Sequence, residues 1–75
     1  MTGRFLTLEQ LAEELATSKA QAYAMVRSGE IPAIRIGGRK QWRIERAKLE
    51  EYIDRNYQET AEYVRTNPLI ERLDD

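Results

Sequence analysis

The chain has 75 residues, of which 41% are hydrophobic, and a net charge of −1. A chain of this size forms one small domain, near the lower limit at which a hydrophobic core alone holds a fold. It contains no cysteine and no histidine, which excludes disulfides, thiolate chemistry and the most common general base and metal ligand. No stretch approaches the roughly 20 apolar residues of a membrane span, and the N-terminus lacks the apolar run of a signal peptide.

The charges are distributed unevenly along the chain. Residues 1–16 carry one base and three acids, residues 17–48 eight bases and two acids, and residues 49–75 three bases and eight acids. The net charges of these segments are therefore −2, +6 and −5. A locally basic surface attracts a polyanion even when the whole chain is slightly acidic. Residues 17–48 are thus the candidate binding segment.

The first helix is predicted over residues 8–15. Thr7 and Gln10 have the spacing of a capping box, and apolar residues then recur at helical spacing as far as Leu15. Phe5 or Leu6, just before the cap, fits the position of a hydrophobic staple.

The second helix is predicted over residues 19–27. Thr17 and Ser18 offer an N-terminal cap, and Gly29 suits the left-handed position that follows a last helical turn. Two short helices joined by a turn of three or four residues form a helix-turn-helix.

A β-hairpin is predicted next, because apolar and polar residues alternate on both sides of a tip with the sequence Gly37-Gly38-Arg39-Lys40. We expect one face of this hairpin to be apolar, formed by Ile34, Ile36, Trp42 and Ile44. The other face is then expected to carry Arg35 and Arg43. Stacking of Trp42 on a nucleic-acid base is the alternative to its packing in the core.

A third helix is predicted from about Arg46, with no glycine or proline before Asn67-Pro68. At 1.5 Å per residue, about 20 residues span roughly 30 Å, which is longer than the rest of the domain can cover. The predicted fold is mainly α with a small β-hairpin. It is a winged helix-turn-helix over residues 1–54, followed by a C-terminal helical extension and acidic tail over residues 55–75.

The third helix and the tail also carry a candidate surface for self-association: Tyr52, Tyr57, Tyr63, Val64, Leu69, Ile70 and Leu73. Exposed apolar patches of this kind often mark interaction sites. We therefore expect a homodimer or cooperative oligomer through the C-terminal helix. The alternative is that only the first half of the helix packs on the core and the remainder frays.

Candidate DNA-binding residues lie on the second helix and on the hairpin. The helix brings free N–H groups and outward side chains toward phosphates and base edges, and the glycines let the basic tip approach a backbone closely. The candidates are Ser18, Lys19, Gln21, Tyr23, Arg27, Arg35, Arg39, Lys40 and Arg43. The alternatives are a solvated helix face, with Tyr23 packed on its side, and an ordinary hairpin charged for solubility.

Five motifs follow one another between Phe5 and Ile53: LT-x-E-x-LAE-x-L, S-x-x-x-x-Y, V-R-S-G-E-I-P-A, R-I-G-G-R and W-R-I. In this combination the chain resembles the small excisionase/MerR-type winged helix-turn-helix proteins of bacteria and phages, above all short stand-alone actinobacterial members. The resemblance implies DNA binding by helix and wing, often as dimers or head-to-tail assemblies. Two departures are Gln21 and Ala24, where the family often has Thr and Arg.

The expected function is sequence-specific binding of double-stranded DNA, as a transcriptional regulator in the bacterial cytoplasm, associated with the nucleoid. An excisionase-like architectural recombination factor and a protein-interaction adaptor using the acidic helix are the alternatives. Enzymatic activity, a cofactor, a metal, a small-molecule ligand and membrane association are not expected, since no pocket-forming length or paired acid–base site is recognisable.

Overall fold

The computed structural model describes residues 3–67 of the chain. Its elements follow in the order β1 (Phe5–Leu6), α1 (Leu8–Glu14), α2 (Lys19–Arg27), β2 (Ile34–Ile36), β3 (Gln41–Glu45) and α3 (Arg46–Thr66). The strands form one antiparallel sheet in the order β1-β3-β2. The mainly helical architecture with a hairpin and a long last helix confirms the predicted fold class.

Local capping interactions set the ends of the two short helices. Thr7 Oγ1 accepts a hydrogen bond from the Gln10 N–H at 3.1 Å, and the Gln10 side chain accepts one from the Thr7 N–H at 2.9 Å. Ser18 Oγ caps α2 by accepting from the Gln21 N–H at 3.1 Å. Gly29 has a φ of 84° after the end of α2. The predicted limits of α2 are confirmed, and those of α1 differ by one residue.

The segment before α1 is a strand, which the sequence did not predict. Phe5 pairs with Glu45, and Leu6 pairs with Ile44 of β3. The Arg46 N–H also donates to the carbonyl of Arg4 at 2.8 Å, so the start of α3 is joined to the same strand. A strand of two residues is too short to show an alternating pattern, and its conformation depends on a distant partner.

The register of the hairpin corrects the predicted assignment of its faces. The paired residues are Ile34 with Arg43, Arg35 with Trp42, and Ile36 with Gln41. Directly opposed residues of antiparallel strands lie on the same face. Arg35 therefore shares a face with Trp42 and the buried Ile44, whereas Ile34 and Ile36 share the opposite, exposed face with Arg43. The predicted apolar face of four residues is wrong.

The core lies between the two short helices, the inner face of the sheet and the first half of α3. Its fully buried large side chains are Leu11, Ile31, Ile44 and Leu49. Tyr52 of α3 completes the core, and its hydroxyl donates a 2.7 Å hydrogen bond to Glu30 Oε2 in the loop after α2. Tyr52 was predicted to belong to a self-association surface; its burial against the core corrects that assignment.

Helix α3 has 21 residues, which confirms the predicted length. Its core contacts end near Ile53, and beyond this point Tyr57, Tyr63 and Val64 are 74%, 47% and 56% exposed. Leu69, Ile70 and Leu73, the rest of the predicted association surface, lie outside the described residues. Within residues 3–67, no helix has both the length and the apolarity needed to cross a membrane.

Candidate nucleic-acid interface

The outward face of α2 carries the candidate contacts of the second helix. Ala22 and Val26 are buried against the core, which turns Lys19, Gln21 and Tyr23 toward solvent. Helical periodicity places the buried pair on the side of α2 that faces the core, and the exposed side chains are distributed over the rest of its surface. Lys19 and Tyr23, four residues apart, lie on one stripe of the helix, whereas Gln21, two residues from each, points to a different side.

The two ends of α2 have different roles. The Ser18 hydroxyl oxygen is engaged in the cap, so its remaining capacity is as an O–H donor. Lys19 Nζ lies 3.6 Å from Glu9 Oε2 of α1, in an ion pair between two largely exposed groups. Such pairs contribute little stability, on the order of 0–1 kcal/mol, so the ammonium exchanges readily to another anion. Arg27 is exposed at the far end of the helix, where its charge suits the helix dipole.

The wing, formed by β2, β3 and the four residues between them, presents its basic tip to solvent. Gly37 and Lys40 both adopt left-handed backbone conformations, with φ values of 79° and 54°, and the Lys40 N–H donates to the Gly37 carbonyl at 3.1 Å. Arg39 and Lys40 are exposed and have no ion-pair partner within residues 3–67. The tip thus offers two cations to an external anion.

Three side chains connect the wing to α2. The Arg35 guanidinium lies over the Trp42 ring, 5.8 Å from its centroid, and Arg35 Nε donates to the Lys40 carbonyl at 3.3 Å. Trp42 in turn meets the Tyr23 ring edge-on at 6.5 Å between centroids. Contacts of this kind favour one relative placement of the groups that make them. The contacts of Trp42 with Arg35 on one side and with Tyr23 on the other hold the wing beside the outward face of α2.

Arg43 lies apart from this row of contacts. It belongs to the opposite face of the sheet, and its guanidinium donates to the Trp42 carbonyl at 2.7 Å and to Gln41 Oε1 at 3.3 Å. The prediction that Arg35 and Arg43 share a face is therefore wrong. Arg43 is half-buried and holds the backbone of β3, which leaves fewer of its donors for a ligand.

Trp42 makes contacts that sequence reasoning did not assign to it. Its predicted packing against the core is confirmed, because it is partly buried against the core cluster, and it also contacts Tyr23 of α2 and Arg35 of the wing. The number of residues in the tip indicates the register of the hairpin, and with it the neighbour of Trp42. Four loop residues pair Ile36 with Gln41, and this register places Arg35 rather than Ile36 beside Trp42.

A supporting helix, an exposed second helix and a basic β-hairpin fixed beside it form a winged helix-turn-helix, a class of DNA-binding domain. The chain belongs to the family described as "Helix-turn-helix domain", whose model matches residues 5–57. It is similar to a protein named "Probable excisionase" from Saccharopolyspora erythraea, with 40% identity over 50 residues.

That similarity covers 67% of this chain and 49% of the relative, so the matched segment spans about half the length of the relative. No solved structure matches the chain significantly. The predicted resemblance to excisionase-type helix-turn-helix proteins is confirmed by the family and by this relative.

Proposed function

We propose that this protein binds a specific sequence of double-stranded DNA and acts as a transcriptional regulator on the DNA of the nucleoid. The observation that carries the proposal is the row of contacts Arg35–Trp42–Tyr23, which fixes a basic wing beside the exposed face of α2. A domain with two contact elements at a fixed separation fits a helix in the major groove and a hairpin on the adjacent backbone or minor groove.

The exposed residues divide into two roles under this proposal. Gln21 has the donor and acceptor pair that suits an adenine edge, and Lys19 suits a guanine edge or a phosphate. The hydroxyls of Ser18 and Tyr23 and the cations of the wing suit phosphates, which position a protein without reading sequence. The phosphate contacts are assigned to Ser18, Tyr23, Arg27, Arg35, Arg39, Lys40 and, with fewer free donors, Arg43.

We further propose that the protein acts as a homodimer or cooperative oligomer through α3. An open apolar groove of about 370 Å³ lies between α3 and the ends of the two short helices, lined in part by Leu15, Met25, Ile53 and Tyr57. Tyr57 is 74% exposed at its edge. A second copy of α3 lying in this groove removes these side chains from water. Two domains double the number of phosphate contacts, which compensates for the lightly charged α2.

Genome-wide mapping of bound DNA, followed by fluorescence anisotropy on the mapped fragments, tests the proposal. We expect saturable binding that loses sequence preference on Gln21→Ala and loses affinity on Arg39→Ala. The matched control is Arg65→Ala, which removes the same charge from the distal end of α3. Absence of binding to every fragment at low salt contradicts the proposal.

A second candidate function is that of an architectural factor in site-specific recombination. The 40% identity to a protein named as a probable excisionase favours it. Such a factor bends its site, and the bend is what allows a recombinase complex to assemble. Circular-permutation gel shifts on mapped sites distinguish the two functions. A large protein-induced bend at sites beside a recombinase gene supports the recombination factor, and unbent promoter sites support the regulator.

A further inference from the structure

The outer face of the sheet, turned away from the core, exposes apolar side chains that the DNA-binding role does not use. Phe5 of β1 is 38% exposed, and Ile34 and Ile36 of β2 are 49% and 43% exposed. They lie on either side of β3, as the hairpin register requires. The face is opposite to that of Arg35 and Trp42, and Arg43 is the proposed DNA contact that lies on it.

A groove of about 310 Å³ crosses this face between Phe5 and Ile34, with Pro32 and Ala33 beside them. It is called the sheet groove below. Its polar lining comprises Arg4, Arg43, Lys48 and Glu45, three bases and one acid, for a net charge of +2. The lining carboxylate is engaged, because Arg4 Nη2 lies 2.9 Å from Glu45 Oε2, and Lys48 makes an exposed ion pair with Glu51 at 3.8 Å that is weak enough to exchange. Arg43 and Glu45 lie on the central strand, between the apolar side chains of β1 and β2. The sheet groove thus combines apolar sides with basic side chains, which suits a segment that is both apolar and acidic.

The segment of residues 68–75 has this composition. Its sequence PLIERLDD contains three large aliphatic residues, and its three acids and one base give a net charge of −2. We propose that the sheet groove of one copy of this protein binds residues 68–75 of a second copy. The apolar residues meet the side chains of Phe5 and Ile34, and the acids meet Lys48 and Arg43.

Chain length requires that the segment come from another copy. Lys48 is the residue of the sheet groove that lies farthest along α3. Thr66, the last residue of α3, is 18 residues beyond Lys48, a distance of about 27 Å along the helix. Ile70 is four residues beyond Thr66 and reaches at most about 14 Å. Leu73, seven residues beyond, reaches about 25 Å only when fully extended. Residues 69 and 70 therefore do not reach the sheet groove of their own chain, and Leu73 at full extension comes near only its Lys48 edge, not the side chains of Phe5 and Ile34.

A contact between unlike surfaces of two identical chains is heterologous, and it continues from copy to copy unless the ring closes. The contact is separate from the α3 groove and shares only Arg43 with the proposed DNA contacts, and its test needs no DNA. The receptor in the test is the full chain with Ile70→Asp and Leu73→Asp, which leaves its sheet groove free of competing tails.

A dye-labelled peptide of residues 67–75 is titrated with this receptor and followed by fluorescence anisotropy. We expect saturable binding, weakened at least about tenfold when the receptor also carries Ile34→Asp, because a carboxylate then replaces an apolar side chain of the groove and repels the acids. Ile36→Asp is the matched control: Ile36 is exposed on the same strand but does not line the groove, and binding is expected to be unchanged. Circular dichroism verifies that each receptor is folded.

Complementary variants test the assembly in solution by sedimentation velocity. The Ile34→Asp chain has an intact tail and an altered sheet groove. The Ile70→Asp, Leu73→Asp chain has an intact sheet groove and an altered tail. Both chains also carry Tyr57→Ser, which removes the proposed α3 contact, and we expect their mixture to form a one-to-one species that neither forms alone. No peptide binding, equal binding to the Ile34→Asp receptor, or a mixture identical to its components overturns the proposal. If the protein binds the peptide but no DNA, the result counts against the proposed function and leaves the tail contact standing.

Discussion

The charged tip of the wing allows a quantitative prediction about the salt dependence of DNA binding. Of the four basic residues of the wing, Arg35 is held over Trp42 and Arg43 is bonded to the backbone of β3. Arg39 and Lys40 are exposed without an ion-pair partner in residues 3–67. We therefore expect these two to make the phosphate contacts that depend most on salt.

Each phosphate neutralised contributes about −0.9 to the slope of log K against log salt concentration. Replacing Arg39 and Lys40 therefore makes the slope shallower by about 1.8. At about 0.1 M salt, each contact raises the binding constant about eightfold over its value at 1 M, so losing both weakens binding about 60-fold. The variants are Arg39→Ala and Lys40→Asn, because asparagine tolerates the left-handed backbone that Lys40 adopts at a φ of 54°.

The assay is fluorescence anisotropy on one mapped site over a series of salt concentrations. Arg65→Ala is the control, since it removes one positive charge from the distal end of α3, where Arg65 pairs with Glu62. Its slope is expected to equal that of the unaltered protein. If the wing variants lose affinity at an unchanged slope, the tip acts through structure rather than phosphate contact. If neither affinity nor slope changes, the wing does not touch DNA and the reasoning is refuted.

Three further predictions concern Tyr52, Trp42 and Tyr57. The hydrogen bond from Tyr52 to Glu30 is the main cause that raises the Tyr52 pKa above 10.0, followed by burial. A hydrogen bond to an exposed carboxylate contributes about 1 kcal/mol to the free energy of unfolding. This contribution is complete below pH 10.0 and is lost as the pH rises through the folded-state pKa of Tyr52. Urea titrations of Tyr52→Phe and the unaltered protein are expected to differ at neutral pH and converge above that pKa; a constant difference contradicts this. Trp42→Leu removes the contacts to Tyr23 and Arg35 and is expected to weaken DNA binding about tenfold and to make the salt slope shallower by about 0.9, because Arg35 is then no longer held for its phosphate contact. An unchanged slope implies that Arg35 does not touch the DNA backbone. Tyr57→Ser is expected to reduce dimer formation in sedimentation equilibrium without changing the unfolding midpoint of the monomer, since Tyr57 is 74% exposed; an unchanged dimer excludes the α3 groove as the contact.

The local sequence contained most of the information about the helices. The cap at Thr7 joins residues three apart, as does the cap at Ser18, and Gly29 lies one residue beyond the cap that ends α2. Interactions over so few residues are visible in the sequence because no distant partner is needed to form them. The same reasoning predicted α3, whose turns are not interrupted by glycine or proline. The exposed residues of α2 followed from the periodicity of Ala22 and Val26.

The tertiary structure decided which faces these elements present. The four-residue tip fixed the pairing of β2 with β3 and so moved Ile34 and Ile36 to the outer face and Arg35 to the side of Trp42. A shift of one residue in register reverses both faces of a strand, and the alternating pattern alone does not fix that register.

Distant partners decided the remaining features. Tyr52 packs in the core cluster, and its hydroxyl donates to Glu30, 22 residues away. The short strand β1 exists because β3 supplies its partners. The sequence by itself therefore determined where the helices begin and end and where the basic residues fall. Only the packed chain determined which of those residues meet, since such contacts join residues whose separation in sequence carries no local signal.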